Sequence, residues 1–408
     1  MKRRVQSARE DFPIITTTKV YGKPLCYLDS AATAQKPRRV ISSVEMLHST
    51  LNANIHRGVH YLAEQTTELY EGARERVRNF IGADSVREVI FTSGATAGLN
   101  LVAQSVCEMV LRGGDNVVVS QMEHHSNIVP WQLSAARCGA ELHSIEVTSE
   151  GLLGDYSKVI NERTKVVAIT QASNVLGTKP ELKSLIEKAH SVGALVVVDG
   201  CQGVVHGGVN VKELGCDFYA FSGHKLYAPT GIGVLWGREE LLEKMPPYMG
   251  GGDMISSVSL TNGSTWAQLP LKFEAGTQNY IGAIALGEAI EYLGEFEQSE
   301  IEHYEMGLYR EFVVELKKNI EGVTIFGDVE HKAPVCSFEI EGVASFDLAS
   351  IVDKLGVAMR SGQLCAEPLL ERCGVRTLCR ASWGIYNNAQ DNAQAIEAIQ
   401  KAVKMLRR

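Results

Sequence analysis

Residues 194–199 read Ala-Leu-Val-Val-Val-Asp, and residues 218–225 read Phe-Tyr-Ala-Phe-Ser-Gly-His-Lys. Each is a short apolar run, rich in β-branched or aromatic residues, that stops at polar ones, as a strand buried on both faces does. Similar runs occupy residues 88–92, 116–120, 166–170 and 233–236, with helical stretches between them. That alternation predicts an α/β fold with a mostly parallel central sheet covered by helices on both faces. Ligands of such sheets sit at the carboxyl ends of the strands. Polar and glycine residues collect there: Ser93-Gly94-Ala95-Thr96, Glu123-His124-His125, Ser173-Asn174, Asp199 and Ser222-Gly223-His224-Lys225. Five successive strand ends point chemistry into one crevice.

Beyond about residue 285 the pattern changes to long helices. Ile301, Tyr304, Leu308, Phe312 and Leu316 share one apolar face, as helical spacing requires. Strands are predicted at 335–340 and 357–360, and a closing helix buries Ile396, Ile399, Val403 and Leu406. The expected division is an N-terminal segment, 1–22, packing with the small domain, a large ligand-binding domain, 23–285, and a smaller C-terminal α/β domain, 286–408. The 408 residues are 45% hydrophobic and 22% charged, enough to bury a substantial core.

The net charge of -8, with scattered basic residues, gives no footprint for nucleic acid. Met1-Lys2-Arg3-Arg4 is followed by a polar stretch and not by an apolar one, so no export signal is expected. No run of about 18 apolar residues predicts a membrane span. The nine cysteines are dispersed and form no C-x-x-C pair, which argues against a disulfide framework or a zinc site and for the cytoplasm.

A carboxylate buried at the end of the strand at 194–199 costs several kcal/mol unless it meets a cation or donors. A protonated pyridine nitrogen is such a partner, and pyridoxal phosphate (PLP) acts as an electron sink only as a pyridinium. Lys225, at the next strand end, can supply the amine that such a cofactor needs. An Asp199 that caps a loop beside a solvent-facing Lys225 fits the spacing equally well. Ser93-Gly94-Ala95-Thr96, between a strand and a helix, offers the backbone N–H groups and hydroxyls that bind phosphate. His124 could stack on a pyridine face. Glu123-His124-His125 does not suit a metal, because adjacent residues of a strand point to opposite faces and no third ligand is spaced for one.

These residues, in this order, resemble the class V aminotransferase superfamily of PLP fold type I, and closely the SUF-type (group II) cysteine desulfurases with their selenocysteine lyase relatives. The resemblance runs from Asp11-Phe12-Pro13 to the C-terminal helix. It is carried by Tyr27-Leu-Asp-Ser-Ala-Ala32, Asn54-Ile-His-Arg-Gly58, Gln121-Met-Glu-His-His-Ser-Asn-Ile-Val-Pro-Trp131, Ser173-Asn-Val-Leu-Gly177, Asp199-Gly-Cys-Gln202, Phe221-Ser-Gly-His-Lys225, Phe273-Glu-Ala-Gly-Thr277 and Cys379-Arg-Ala-Ser382. It implies Lys225 as the Schiff-base lysine, Asp199 at the pyridine nitrogen, Gln202 at the ring oxygen, and His124 stacked on the ring and shuttling protons. The phosphate falls to Ala95, Thr96, Ser222 and His224, with Thr277 reaching in from the neighbouring subunit of a homodimer. Arg380 and Asn174 are assigned to the substrate carboxylate, and His56 and Arg360 to the substrate. Arginine suits such a role because its planar fork grips a carboxylate through two parallel hydrogen bonds.

By the same resemblance Cys365 is the nucleophile that takes sulfur from L-cysteine, releases L-alanine and passes the persulfide sulfur to a SUF-type acceptor protein in iron-sulfur cluster assembly. Two departures stand out: Gln363-Leu364 occupy the place of two family histidines, and Gln171 stands where many relatives have histidine. A selenocysteine lyase, or a cysteine or cystine C–S lyase that does not need Cys365, is the alternative on the same scaffold.

Overall fold

In the computed structural model, which describes residues 2–407, the valine-rich runs form the middle of a seven-stranded sheet. Its strands are β1 (Val89–Thr92), β2 (Asn116–Ser120), β3 (Glu141–Ile145), β4 (Thr164–Thr170), β5 (Leu195–Asp199), β6 (Phe218–Ser222) and β7 (Gly233–Gly237). The spatial order is β1-β7-β6-β5-β4-β2-β3. Only β7 runs against its neighbours, so the sheet is mostly parallel, as the alternation predicts. β3 was not anticipated. It is an edge strand in which Ile145 alone is buried, and its sequence Glu-Leu-His-Ser-Ile carries no apolar run to announce it.

Successive side chains of a strand point to opposite faces, and the sheet uses both. Val118, Val167, Val196, Val198, Tyr219 and Phe221 pack toward helices α1 (Tyr61–Ile81) and α3 (Tyr280–Leu293). Val117, Val166, Val197, Phe218 and Ala220 pack toward the intervening helix α2 (Ala95–Val110). The change of texture at residue 285 falls inside α3, whose buried residues belong to the first of these cores. A further core lies between a four-stranded antiparallel sheet and helices α4 (Gln298–Asn319) and α5 (Ala389–Leu406). That sheet holds β8 (Val323–Phe326), β9 (Val335–Ile340), β10 (Arg360–Gly362) and β11 (Leu378–Ser382), in the order β8-β9-β11-β10.

The run at 357–360, expected as one strand, serves two partners. Val357 and Ala358 pair in parallel with Cys26 and Tyr27, and Arg360 begins β10 opposite Arg380. The N-terminal segment touches both cores. Val5, Ala8, Phe12 and Ile15 are buried in the first, and Arg9 forms an ion pair with Asp391 of α5 at 2.8 Å. Phe12 meets the edges of Tyr227, Tyr292 and Tyr386.

One buried ion pair ties the Phe273-Glu-Ala-Gly-Thr277 stretch to the sheet. Arg74 and Glu274, both fully buried, meet through Nη1–Oε1 at 2.6 Å and Nη2–Oε2 at 3.0 Å. Glu274 also accepts from Tyr70 Oη and from the Phe91 N–H, so its oxygens are satisfied. Removing one member of such a pair leaves the other charge buried and uncompensated. Arg74→Ala is therefore expected to lower stability by about 3–5 kcal/mol, read as an earlier denaturant midpoint. A midpoint equal to the wild-type value would show the pair to be dispensable.

Candidate active site

The carboxyl ends of β1, β2, β4, β5 and β6 converge on a cavity of about 560 Å³. Its walls include Ala95, Thr96, His124, Asn174, Asp199, Ser222, His224, Lys225, Arg360, Cys365 and Arg380, eleven of the residues singled out from sequence. Asp199 ends β5 and is 4% exposed. Among the described residues its single side-chain hydrogen bond comes from the Cys201 N–H, 3.0 Å from Oδ1. Lys225 closes the short turn Gly223–Lys225 that follows β6.

At the start of α2 the Ala95 N–H donates to Ser222 Oγ at 2.8 Å, and the Thr96 and Ser126 hydroxyls share a hydrogen bond of 2.8 Å. Gly94 enters this turn at φ 150°, a conformation that favours glycine. Gly233 makes the turn possible from the other side, because a Cβ there would lie 2.5 Å from Gly94 Cα. His224 Nδ1 is buried without a partner among the described residues.

Burial, reinforced by the Lys225 charge, pushes both His124 and His224 down to about 4, so both rings are neutral near pH 7. The His124 Nδ1 accepts from the Ser126 N–H at 3.1 Å, which fixes its tautomer with the proton on Nε2. Glu123, directly before it, is fully buried and raised to about 8 by that burial. It accepts from Ser120 Oγ, Asn127 Nδ2 and the Thr170 N–H, tying the ends of β2 and β4 together beneath the cavity.

Arg380, on β11, is buried; its Nη1 donates to the Asn174 carbonyl at 2.9 Å and its Nη2 to Asp29 Oδ1 at 3.1 Å. Its Nε has no partner among the described residues. Cys365 is the one cysteine that is exposed. Both it and Leu364 sit at positive φ, 53° and 55°, a costly conformation for residues with a Cβ. The surroundings hold that conformation. Leu364 is buried beside Met122, Val175 and Leu369, its carbonyl accepts from Asn174 Nδ2 at 2.8 Å, and the Cys365 carbonyl accepts from the His125 N–H at 2.8 Å.

Three sequence-predicted residues stand outside this wall. Gln202 is buried behind it, its Nε2 donating to the Ala31 carbonyl at 2.8 Å. Thr277 is exposed and lines a separate hollow with Thr92, Ser93 and Tyr248. His56 pairs with Glu71 through Nε2 at 3.0 Å and stacks edge-on against Tyr70. Gln171 also faces elsewhere: it is hydrogen-bonded to Tyr219 and lines a different hollow with Gly207 and Gly208. Sequence reasoning passed over Asp29, Cys201, Ser126 and Ser361, of which Ser126, Cys201 and Ser361 line the cavity. Asp29 lay inside the quoted Tyr27-Leu-Asp-Ser-Ala-Ala32 motif, and that was its only signal.

Comparison with known proteins gives the family. Residues 26–394 match the model of the family described as aminotransferase class-V. A probable cysteine desulfurase of Vibrio cholerae is 45% identical over 408 residues, covering both chains completely. A cysteine desulfurase of Klebsiella pneumoniae is 44% identical over 404 residues, 98% of this chain and 99% of the other. Among solved structures, the Escherichia coli cysteine desulfurase CsdA, in an S-sulfonic acid form, superimposes with a TM-score of 0.91 at 37% identity, covering 99% of each chain. The apo cysteine desulfurase of Thermococcus onnurineus gives 0.92 at 36% identity and the same coverage. This chain belongs to the class-V aminotransferase family, in the cysteine desulfurase group of fold type I.

Proposed function

We propose that this protein is a PLP-dependent cysteine desulfurase that converts L-cysteine to L-alanine and retains the sulfur as a persulfide on Cys365. The observation that carries the reading is one cavity with Lys225 and Asp199 on its floor, Arg380 in its wall and the exposed Cys365 at its rim. Class-V aminotransferases and cysteine desulfurases are PLP enzymes in general, and the cavity's polar groups suit that cofactor. Asp199 is a buried carboxylate with one neutral donor and room for a cation. The orphaned His224 Nδ1, the Ser222 and Thr96 hydroxyls and the start of α2 form a cup for phosphate, where helix N–H groups favour an anion. When bound, the cofactor supplies a protonated ring that withdraws electrons from the substrate.

The protein's own groups do the rest. Lys225 Nζ would hold the cofactor covalently, and the same amine, when free, would take the substrate α-proton. Arg380, with its unspent Nε, grips the substrate carboxylate beside Asn174. The neutral His124 ring lines the cavity, where it would hold the cofactor and offer Nε2 for proton transfer. Cys365 Sγ attacks the substrate sulfur: the Sγ–S bond forms, the Cβ–S bond breaks, and the bonding pair left on carbon is protonated to the methyl of alanine. The persulfide sulfur then passes to an acceptor protein of the SUF type, in the cytoplasm. Gln202 would support the cofactor's ring oxygen, His56 is assigned to the substrate, and the exposed Thr277 would serve the phosphate site of a second copy in a homodimer.

Brief exposure to L-cysteine without reductant should yield alanine up to one equivalent per site and add one sulfur to the Cys365 peptide, read by mass spectrometry. Added reductant should make alanine and sulfide release continuous. Alanine without any sulfur on that peptide would favour the lyase alternative.

A further inference from the structure

Arg360 and Arg380 stand directly opposite each other on β10 and β11, a placement in which like charges destabilise a sheet. Both line the cavity. A carboxylate lies between them: Asp29 Oδ1 is 3.1 Å from Arg380 Nη2, and Oδ2 is 3.0 Å from Arg360 Nη2. Asp29 arrives from the far end of the chain through an isolated bridge to Ser382. Its side chain has no other partner among the described residues. Two guanidiniums and one carboxylate leave a single net positive charge.

The geometry points to Asp29 as the residue that sets how many negative charges the substrate brings. It cancels one arginine, so the wall attracts an amino acid whose only anion is its α-carboxylate. A ligand with a second anionic group would have to place it beside the Asp29 carboxylate, and like-charge contacts of that kind reject wrong partners. Asp29 is a positioning residue, acting through Arg360 and Arg380. Without it, Arg360 becomes a second anion site in the same wall, and the preference shifts toward ligands with two carboxylates. The inference rests on the reading of Arg380 as the carboxylate anchor.

The test uses the holoenzyme and two ligands without an amine, propionate and succinate, with affinities measured by calorimetry. Wild type is first shown to make alanine from L-cysteine; if it does not, the functional reading fails, independently of Asp29. In Asp29→Asn the succinate-to-propionate affinity ratio should rise by about tenfold or more, the effect of removing one like-charge contact. A general loss of packing would weaken both ligands and leave their ratio alone. In Asp29→Asn/Arg360→Gln the net charge is again one, and the ratio should return to the wild-type value. A wild-type ratio in Asp29→Asn, or a raised ratio that persists in the double variant, overturns the proposal. Should Asp29→Asn not fold, a folded double variant supports the bridging role, and failure of both overturns it by making Asp29 structural.

Discussion

Lys225→Ala is expected to lower alanine production from L-cysteine by about 10⁴-fold or more, because it removes the group that takes the α-proton together with the covalent hold on the cofactor. Among the described residues Lys225 is the only lysine in the cavity wall, so no second side-chain amine there stands ready to replace it. Lys36 is nearest in character: burial lowers it to about 8. Its Nζ is engaged with the Ala34 and His224 carbonyls, outside the wall. Borohydride should fix PLP to wild type on the Lys225 peptide and leave Lys225→Ala unlabelled. The phosphate cup is untouched, so the variant should still bind PLP reversibly. Covalent labelling of the variant at wild-type yield would rule out the assignment.

The second large effect is expected at Cys365. Cys365→Ala should abolish alanine formation from L-cysteine while leaving substantial breakdown of L-selenocysteine, since selenium leaves carbon more readily than sulfur and needs no nucleophile. The loop should survive the change. It is held by the buried Leu364 side chain and by bonds to the Leu364 and Cys365 carbonyls, none of which involves Sγ, and alanine tolerates the positive φ no worse than cysteine does. The absorbance of the bound cofactor should therefore match that of wild type. Wild-type rates with both substrates would assign the protein to the lyases.

The sheet and the cavity floor were legible because a parallel sheet buried on both faces writes unbroken valine runs, and because strand ends carry the chemistry. The edge strand at 141–145 wrote no such run. The strand at 357–360 was read as one because no turn residue separates Val357-Ala358 from Arg360, and the exchange of partner from Cys26 and Tyr27 to β11 leaves no trace in composition. The arginine pair bridged by Asp29 was hidden for a related reason. Its members come from strands and a bridge whose register is set by tertiary packing, and Asp29 meets Arg380 across 351 residues of chain. Arg360 and Arg380 were each identified singly, and only the antiparallel register brings them face to face. Motif resemblance gave the cavity its residues; the distances among them, and the orientation of Gln171 away from it, needed coordinates.

The N-terminal segment also constrains how the molecule is made. Arg9 finds its partner in Asp391, 382 residues later, and Cys26 Sγ reaches the Asp391 carbonyl across 365. At a synthesis rate of roughly 5–20 residues per second, the first helical turn waits on the order of 20 to 80 seconds for the residue that anchors it. For most of that interval Phe12 lacks Tyr292 and Tyr386, two of the three rings it packs against, and Cys26 lacks its strand partner at Val357. Phe12 and Arg9 thus gain their full set of partners only once Tyr386 and Asp391 have been made, and a segment left partly unpacked during synthesis is the condition under which chaperone binding protects a growing polypeptide.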